Sequence, residues 1–401
     1  MSQVENPVPA ERRMPAGNPV QVRWPAQYNE LPKEVFHRED VYQRELERIF
    51  YGPDWHPVGH VSELPAPGDF KTIQVGEAGL LVVHGDDGRV RVFLNSCPHR
   101  GTRLKTASRG AAAEIECPYH RWLFNIRGEL LSAPGSDQFP AAFTKDDYGL
   151  RELGSARFHG LILARFTDDG PGLEEFLGEA RDNLAKILGD GRLKLLGYQK
   201  TVYSTNWKEY GDNEGYHAPL LHRAFRLLRW QGGKGVQGMT RYGHKLLDAQ
   251  IRNPPSGFLN DQSLVESRDP KGADSVIVSL FPMTTMVKHL DVINLRFAFP
   301  LSRDRTEAHY AYFCHEDDDR DMVLHRVRQA SNLLGPSGFI SLEDGAVFNR
   351  LHEGSSTPGT IAFQKGYRGP MQAPCAVEQN DEASNLIRWE RYREIMGFER
   401  E

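Results

Sequence analysis

Cysteine is scarce in this chain: four in 401 residues, too few for the disulfide framework of a secreted scaffold. A reducing cytoplasm is the compartment this usage suits. Long apolar runs are lacking as well, and none approaches the ~18–20 residues that a membrane-spanning helix needs. The opening segment MSQVENPVPAERRMPAGNPVQVRW has no apolar core and does not read as a secretory signal. Nor is there an excess of one charge. Lys plus Arg number 49 against 54 Asp plus Glu, a net −5, which gives no reason to expect nucleic acid or an anionic membrane as partner. Internal repeats, low-complexity tracts and a convincing flavin or nicotinamide fingerprint are absent from the sequence too. What is present is an ordinary composition, 39% hydrophobic and 26% charged, in a chain long enough for two domains.

The texture changes along the chain. Residues 1–40 are rich in proline and charge and read as a surface arm packing on the second domain. In Arg38–Phe50, Val41, Leu46, Ile49 and Phe50 recur at roughly helical spacing. From there to about residue 160, short runs rich in Val, Ile, Leu and Phe alternate with glycine turns such as Asp86-Asp87-Gly88 and Arg127-Gly128. That is the pattern of antiparallel hairpins, so 41–160 forms a small β domain. Residues 161–401 alternate strand-like and helix-like segments. Gly172–Leu188 carries Leu173, Phe176, Leu177 and Ala180 on one helical face, and Ser275–Phe313 reads as strands. Asp321–Leu334 and a closing segment with Leu386, Trp389, Tyr392, Ile395 and Met396 read as helices. The fold class is α+β, with a large antiparallel sheet flanked by helices in the second domain.

Two of the cysteines stand alone, Cys314 and Cys375, and read as inert thiols. The other two sit in CPHRGTRLKTASRGAAAEIECPYHRW, as Cys97-x-His99 and Cys117-x-x-His120, with seventeen residues between the clips. Two thiolates and two imidazoles in paired clips make a metal site by spacing. A structural zinc accepts such a donor set. One Cys and one His per clip also suits a two-iron cluster in which one iron takes both thiolates and the other both imidazoles.

A second constellation lies in NWKEYGDNEGYHAPLLH. His217 and His222 are five residues apart, about 140° on an ideal helix. Pro219 between them removes a helical hydrogen bond and bends the segment, which can turn both rings toward one ion. Carboxylates Asp212 and Glu214 lie just upstream, and Asp344 lies far downstream in GPSGFISLEDGAV. Two histidines and one carboxylate are the facial triad of non-haem Fe(II) oxygenases, which leaves positions open for O₂ and substrate. The more conspicuous acidic run HEDDDRD (315–321) reads as a solvated loop or helix start. Apolar residues near the candidate ligands, Leu221, Phe225, Leu228, Ile340 and Phe348, are pocket candidates or core. On the strand Asn294–Phe299, Arg296 shares a face with Asn294 and Ala298. Inward, it would grip a substrate carboxylate bidentately; outward, it would be a solvated strand residue.

The segments Cys97-Pro98-His99-Arg100-Gly101 and Cys117-Pro118-Tyr119-His120-Arg121-Trp122 resemble the Rieske [2Fe–2S] motif. Asn206-Trp207-Lys208, Asp212-Asn213, Tyr216-His217, His222 and the later Gly335-to-Asp344 stretch resemble the catalytic domain of Rieske-type ring-hydroxylating oxygenases, large (α) subunit. With Gly68-Asp69-Phe70, the likeness covers roughly residues 40–355. It implies a Rieske cluster on Cys97, His99, Cys117 and His120, and a mononuclear Fe(II) on His217, His222 and Asp344, within a helix-grip-like catalytic domain. It implies Asn213 behind the iron and an acid that bridges the two centres between subunits. Family members have about two more residues before that acid, so Glu214 is the choice here and Asp212 the reserve. It further implies a trimer, with or without a small β subunit, in which His120 of one chain faces Glu214 and His217 of the next. A separate NAD(P)H-dependent reductase, with or without a ferredoxin, would supply electrons. The implied reaction is oxygenation of an aromatic substrate. YHAPLLHRAF and NLLGPSGFISLEDGAV are most similar to oxygenases of aromatic carboxylates (terephthalate, salicylate, anthranilate), which favours an aromatic acid as substrate. The sequence does not separate insertion of one oxygen atom from two, and cis-dihydroxylation is the favoured expectation. The rival readings are a Rieske monooxygenase on a small non-carboxylate substrate and, in another class, an electron carrier or zinc-stabilised binding module.

Overall fold

The computed structural model of the chain describes residues 20–212, 216, 218–222, 235–250, 257, 259–270 and 274–401. They fall into two compact units, Phe50–Pro171 and Pro19–Ile49 with Gly172–Glu401.

The smaller unit is built on antiparallel sheet, with short 3-10 turns at Val61–Glu63, Ser136–Gln138 and Lys145–Tyr148. Four strands run in the order Val90–Leu94, Ala78–His84, Asp69–Val75, Arg109–Ala111, and two three-stranded sheets complete it: Glu114–Glu116, Leu123–Asn125, Leu130–Ser132, and Gly154–Phe158, Leu161–Arg165, His56–His60. The turns fall where glycine punctuation predicts. At Gly128 (φ +86°) a Cβ would meet the Phe93 ring at 2.6 Å, so only glycine fits. Inside, Lys71 Nζ donates to Glu63 Oε2 at 2.6 Å, both side chains nearly out of solvent.

In the larger unit, α1 (Glu39–Glu45) is followed, beyond the smaller unit, by α2 (Leu173–Leu177) and α3 (Ala180–Leu188). The expected single helix over 172–188 is thus two, because Gly178 (φ +46°) breaks it. An eight-stranded antiparallel sheet runs in the order Leu193–Tyr203, Arg305–His315, Val292–Ser302, Thr284–His289, Asp274–Leu280, Lys245–Gln250, Val236–Met239, Cys375–Glu378. Between its strands come α4 (Trp207–Gly211), α5 (Ala218–Leu221), α6 (Arg320–Gln329) and α7 (Ser341–Ser355), and α8 (Ser384–Met396) follows the last. Lys186 of α3 pairs with Asp248, whereas Lys245 of the same strand reaches Asn385 of α8 at 2.7 Å. Strand side chains alternate, so α3 and α8 cover opposite faces of the sheet.

Glu45 fastens α1 into this unit. Its carboxylate accepts from Trp207 Nε1 (2.7 Å), Lys208 Nζ (2.6 Å) and the Tyr392 hydroxyl (2.5 Å), with no exposure of its own. Burial lowers the Lys208 pKa and the Glu45 charge opposes that shift. Removing one partner of such a pair costs about 3–5 kcal/mol. In the run 315–321, Asp319 caps α6 through Met322 N (2.8 Å), as a helix start should. Asp318 is not a solvated acid: it pairs with Arg326 at 2.6 Å.

Candidate metal centres

The first constellation comes together in the smaller unit on two loops built alike. Cys97 N donates to Thr102 O (2.9 Å) and Gly101 N to Cys97 O (2.9 Å); Cys117 N donates to Trp122 O (2.8 Å) and Arg121 N to Cys117 O (3.1 Å). In both loops the fourth residue after the cysteine is left-handed, Gly101 at φ +68° and Arg121 at φ +60°. Arg121 therefore holds a backbone region that ordinary residues avoid, at a cost of roughly 1 kcal/mol. Buried Asn95 braces the first loop by accepting from Leu104 N and Lys105 N and donating to Lys105 O.

Both thiols are buried and lie within hydrogen-bonding reach of each other, and burial pushes the Cys97 thiol up to about 11. The imidazoles sit further out, with His99 exposed, His120 half-buried and their rings 4.8 Å apart. His99 stacks on Trp122 at 4.6 Å, 2° from parallel. Burial, then His120, lower its pKa, which favours the neutral ring a metal requires. Two inner sulfurs and two outer nitrogens fit a two-iron cluster with thiolates on one iron and imidazoles on the other.

In the larger unit, His222 is buried at the end of α5, against the first turn of α7. Its Nε2 lies 3.4 Å from Asp344 Oδ1 and its Nδ1 3.3 Å from Glu343 Oε2. Two ligand atoms each about 2.1 Å from one ion, at right angles, stand about 3 Å apart, so the Nε2–Asp344 pair fits a shared metal. Glu343 then occupies the outer position on the other ring nitrogen that fixes a ligand's tautomer. The α7 N-terminus favours negative charge on both acids. Asn213, Glu214, His217, Phe225 and Leu228 lie outside the described residues. Asp212 Oδ1 accepts from Trp389 Nε1 at 3.2 Å, so the reserve bridging acid has a partner in α8.

Arg296 is half-buried on the sheet. Its Nε donates to Asn294 Oδ1 (3.3 Å), its Nη2 to Leu334 O (3.3 Å), and its guanidinium lies 5.1 Å from the Tyr310 ring centre. Burial opposes its charge, the Tyr310, Tyr210 and Tyr312 side chains and Asp344 act the other way, and the net direction is upward. No carboxylate among the described residues forms an ion pair with it. Tyr203 and Tyr310 hydroxyls are 3.2 Å apart beside it. Burial, then Tyr310, drive the Tyr203 pKa upward, so that hydroxyl stays neutral. These tyrosines escaped a reading by motif. Register is what brings Tyr310 opposite Arg296 and Tyr312 opposite Asn294. Phe348 packs between Tyr203 (5.0 Å) and Tyr210 (5.3 Å), and Ile340 is buried. Leu221 instead lines a groove of about 600 Å³ with Val347, Leu351 and Phe363.

A paired Cys/His set and a His–carboxylate pair in one chain fit an iron–sulfur oxygenase. Comparison with known proteins agrees. Residues 54–146 match the Rieske [2Fe–2S] domain family, and residues 190–385 match the ring hydroxylating alpha subunit (catalytic domain) family. The chain is 30% identical to the anthranilate 1,2-dioxygenase large subunit of Burkholderia cepacia, over 92% of this chain and 93% of that one. It is 32% identical to the salicylate 5-hydroxylase large oxygenase component of Ralstonia sp, over 84% and 87%. Its fold superposes on naphthalene 1,2-dioxygenase with indole bound in the active site at a TM-score of 0.78, with 22% identity, 93% of this chain and 96% of that chain covered. A quaternary ammonium Rieske monooxygenase gives 0.76, with 21% identity, 94% and 100% covered. The chain belongs to the Rieske-type ring-hydroxylating oxygenase α subunits, and is an enzyme with a [2Fe–2S] cluster and a mononuclear non-haem iron. No helix among the described residues is long and apolar enough to cross a membrane.

Proposed function

We propose that this protein is the terminal oxygenase for an aromatic carboxylate, carrying its cluster on Cys97, His99, Cys117 and His120 and its Fe(II) on His217, His222 and Asp344. The observation that carries the substrate class is Arg296, a half-buried guanidinium beside neutral tyrosines and within electrostatic range of Asp344. Its described partners are neutral oxygens, which leaves its charge to be matched by an anionic ligand. A carboxylate gripped there would hold the aromatic ring between Arg296 and Asp344. Several relatives point the same way by name, among them terephthalate 1,2-dioxygenase subunit alpha 2 of Comamonas sp and toluate 1,2-dioxygenase subunit alpha of Pseudomonas putida.

Fe(II), when bound, supplies the activation of O₂. The chain's own residues bind and orient: Arg296 takes the carboxylate, Phe348, Tyr203 and Tyr210 wall the ring, and Glu343 holds the His222 tautomer. We favour cis-dihydroxylation. Monooxygenation is the second reading, and the likeness to a salicylate 5-hydroxylase supports it. Electrons come from a separate NAD(P)H-dependent reductase, with or without a ferredoxin. The working assembly is a homotrimer or α₃β₃, with Glu214 as the acid between centres, a choice favoured by the engagement of Asp212 with Trp389.

The test is O₂ consumption and product analysis with a panel of benzoates and their neutral amides. Arg296→Gln is expected to lower kcat/KM for the acid about 10- to 100-fold, the worth of a charge-assisted hydrogen bond, and to spare the amide. Equal losses on acid and amide would remove Arg296 from substrate recognition.

A further inference from the structure

Helix α7 presents Asp344, Phe348 and His352 at four-residue steps, one stripe along its length. Each meets a residue of the segment running through α4 to His222. Asp344 reaches His222, Phe348 packs on Tyr210, and His352 Nδ1 lies 2.8 Å from Glu209 Oε2. The other His352 nitrogen lies 3.2 Å from Asp304 Oδ1. Glu209 is itself held by Thr205 Oγ1 (2.9 Å), Asn206 N (3.0 Å) and the Ser355 hydroxyl. Its carboxylate therefore joins the first turn of α4 to the last turn of α7. The other groups facing His352 are the His37 ring, 4.7 Å away, and Arg303, whose Nη2 lies 2.7 Å from Asp304. Lys33 Nζ reaches Thr357 nearby at 2.9 Å.

Resting on the reading that His222 and Asp344 share the iron, we propose that His352, held between Glu209 and Asp304, is a positioning residue: it fixes α7 against α4 and so sets how Asp344 meets the metal. Phe348 is the fulcrum between the two ends of the stripe. An imidazole flanked by two carboxylates works best as a cation. The hydrogen bond to Glu209, opposed by burial, and then the Glu209 and Asp304 charges raise the His352 pKa above its usual value. The bridge is thus complete below the ordinary histidine range and is lost as pH rises through the raised value. His37 titrates elsewhere, since burial, then His352, lower its pKa.

The experiment follows Fe(II) loss from the full-length enzyme to a colorimetric chelator under anaerobic conditions across about pH 6 to 9. The visible spectrum of the cluster reports on integrity, and the electron paramagnetic resonance of the NO complex reports on iron geometry. Wild type is expected to release iron faster as pH rises through one step. His352→Gln should release it about tenfold faster at low pH, with no step and a broadened NO signal. His352→Arg, a fixed cation able to meet both acids, should restore slow release without the step. Asp304→Asn should shift the step to lower pH, and it serves if the glutamine variant does not fold. A step that survives in His352→Gln, or an arginine variant as leaky as the glutamine one, would overturn the proposal. His37, Glu209 and His352 also offer ligand atoms within 4.8 Å of one another. A second bound metal equivalent lost in both His37→Ala and His352→Gln would make the cluster a metal site and overturn the proposal too. If His222→Ala keeps its iron, the ligand reading fails instead, whatever His352 does.

Discussion

The two candidate metal centres are built in opposite ways. In the smaller unit, four donors come from two six-residue loops of the same backbone design, each closed by its own hydrogen bonds. In the larger unit, His222 and the acids it meets are separated by 121 residues to Glu343 and come together through the packing of α7 against α4 and His222. A site made by local loop geometry carries its specification in a short stretch of chain. A site made by helix packing is specified by everything that holds the helices.

The sharpest break of the comparison is removal of a donor from each centre. Cys117→Ser is expected to abolish the visible absorption of the cluster and all turnover while chelatable Fe(II) stays bound. Asp344→Asn should do the reverse, with cluster absorption intact, mononuclear iron lost and turnover below about 1% of wild type. Loss of both signals in either variant would make the two centres interdependent.

Next in size is the support of the helix-built centre. Glu45→Gln removes one charge from the buried pair with Lys208 and is expected to lower the stability of the larger unit by about 3–5 kcal/mol. Calorimetry would resolve this as one transition moving while the cluster spectrum persists. Glu343→Gln acts closer in. Iron affinity should fall about 10- to 100-fold with cluster content unchanged, because a neutral amide holds His222 Nδ1 less firmly. An unchanged affinity would leave Glu343 with no part in the centre.

The smallest effect belongs to the loop-built centre. Arg121→Gly relieves a left-handed residue but loses an exposed pair with Glu116. The net change in unfolding free energy should stay within about 1 kcal/mol.

Legibility followed the same division. Cys97, His99, Cys117 and His120 could be read as a set because their spacing is the loop. The hairpins and the large sheet were also legible, since alternation and glycine punctuation are local signals. Helix α7 was not expected, because Gly345 and Gly354 lower the helix propensity of its sequence and its apolar stripe is short. Asp344 was singled out by motif, whereas Glu343 on the other ring nitrogen and the tyrosines around Arg296 depend on register and packing. Asp318 was misjudged for the same reason: its partner Arg326 lies eight residues away, in α6.

The fastening of α1 by Glu45 also bears on how the chain is made. Residues 39–45 belong to the larger unit, yet the whole smaller unit is synthesised before the rest of that fold. Emerging from the ribosome, Phe50–Pro171 can close its sheets as soon as it is complete. Glu45 must wait, first for Lys208 and then for Tyr392, near the far end of the chain. At synthesis rates of about 5–20 residues per second that wait is on the order of ten seconds or more. The cluster-bearing unit is thus expected to be the first folded body on the ribosome, with an unfolded α1 ahead of it.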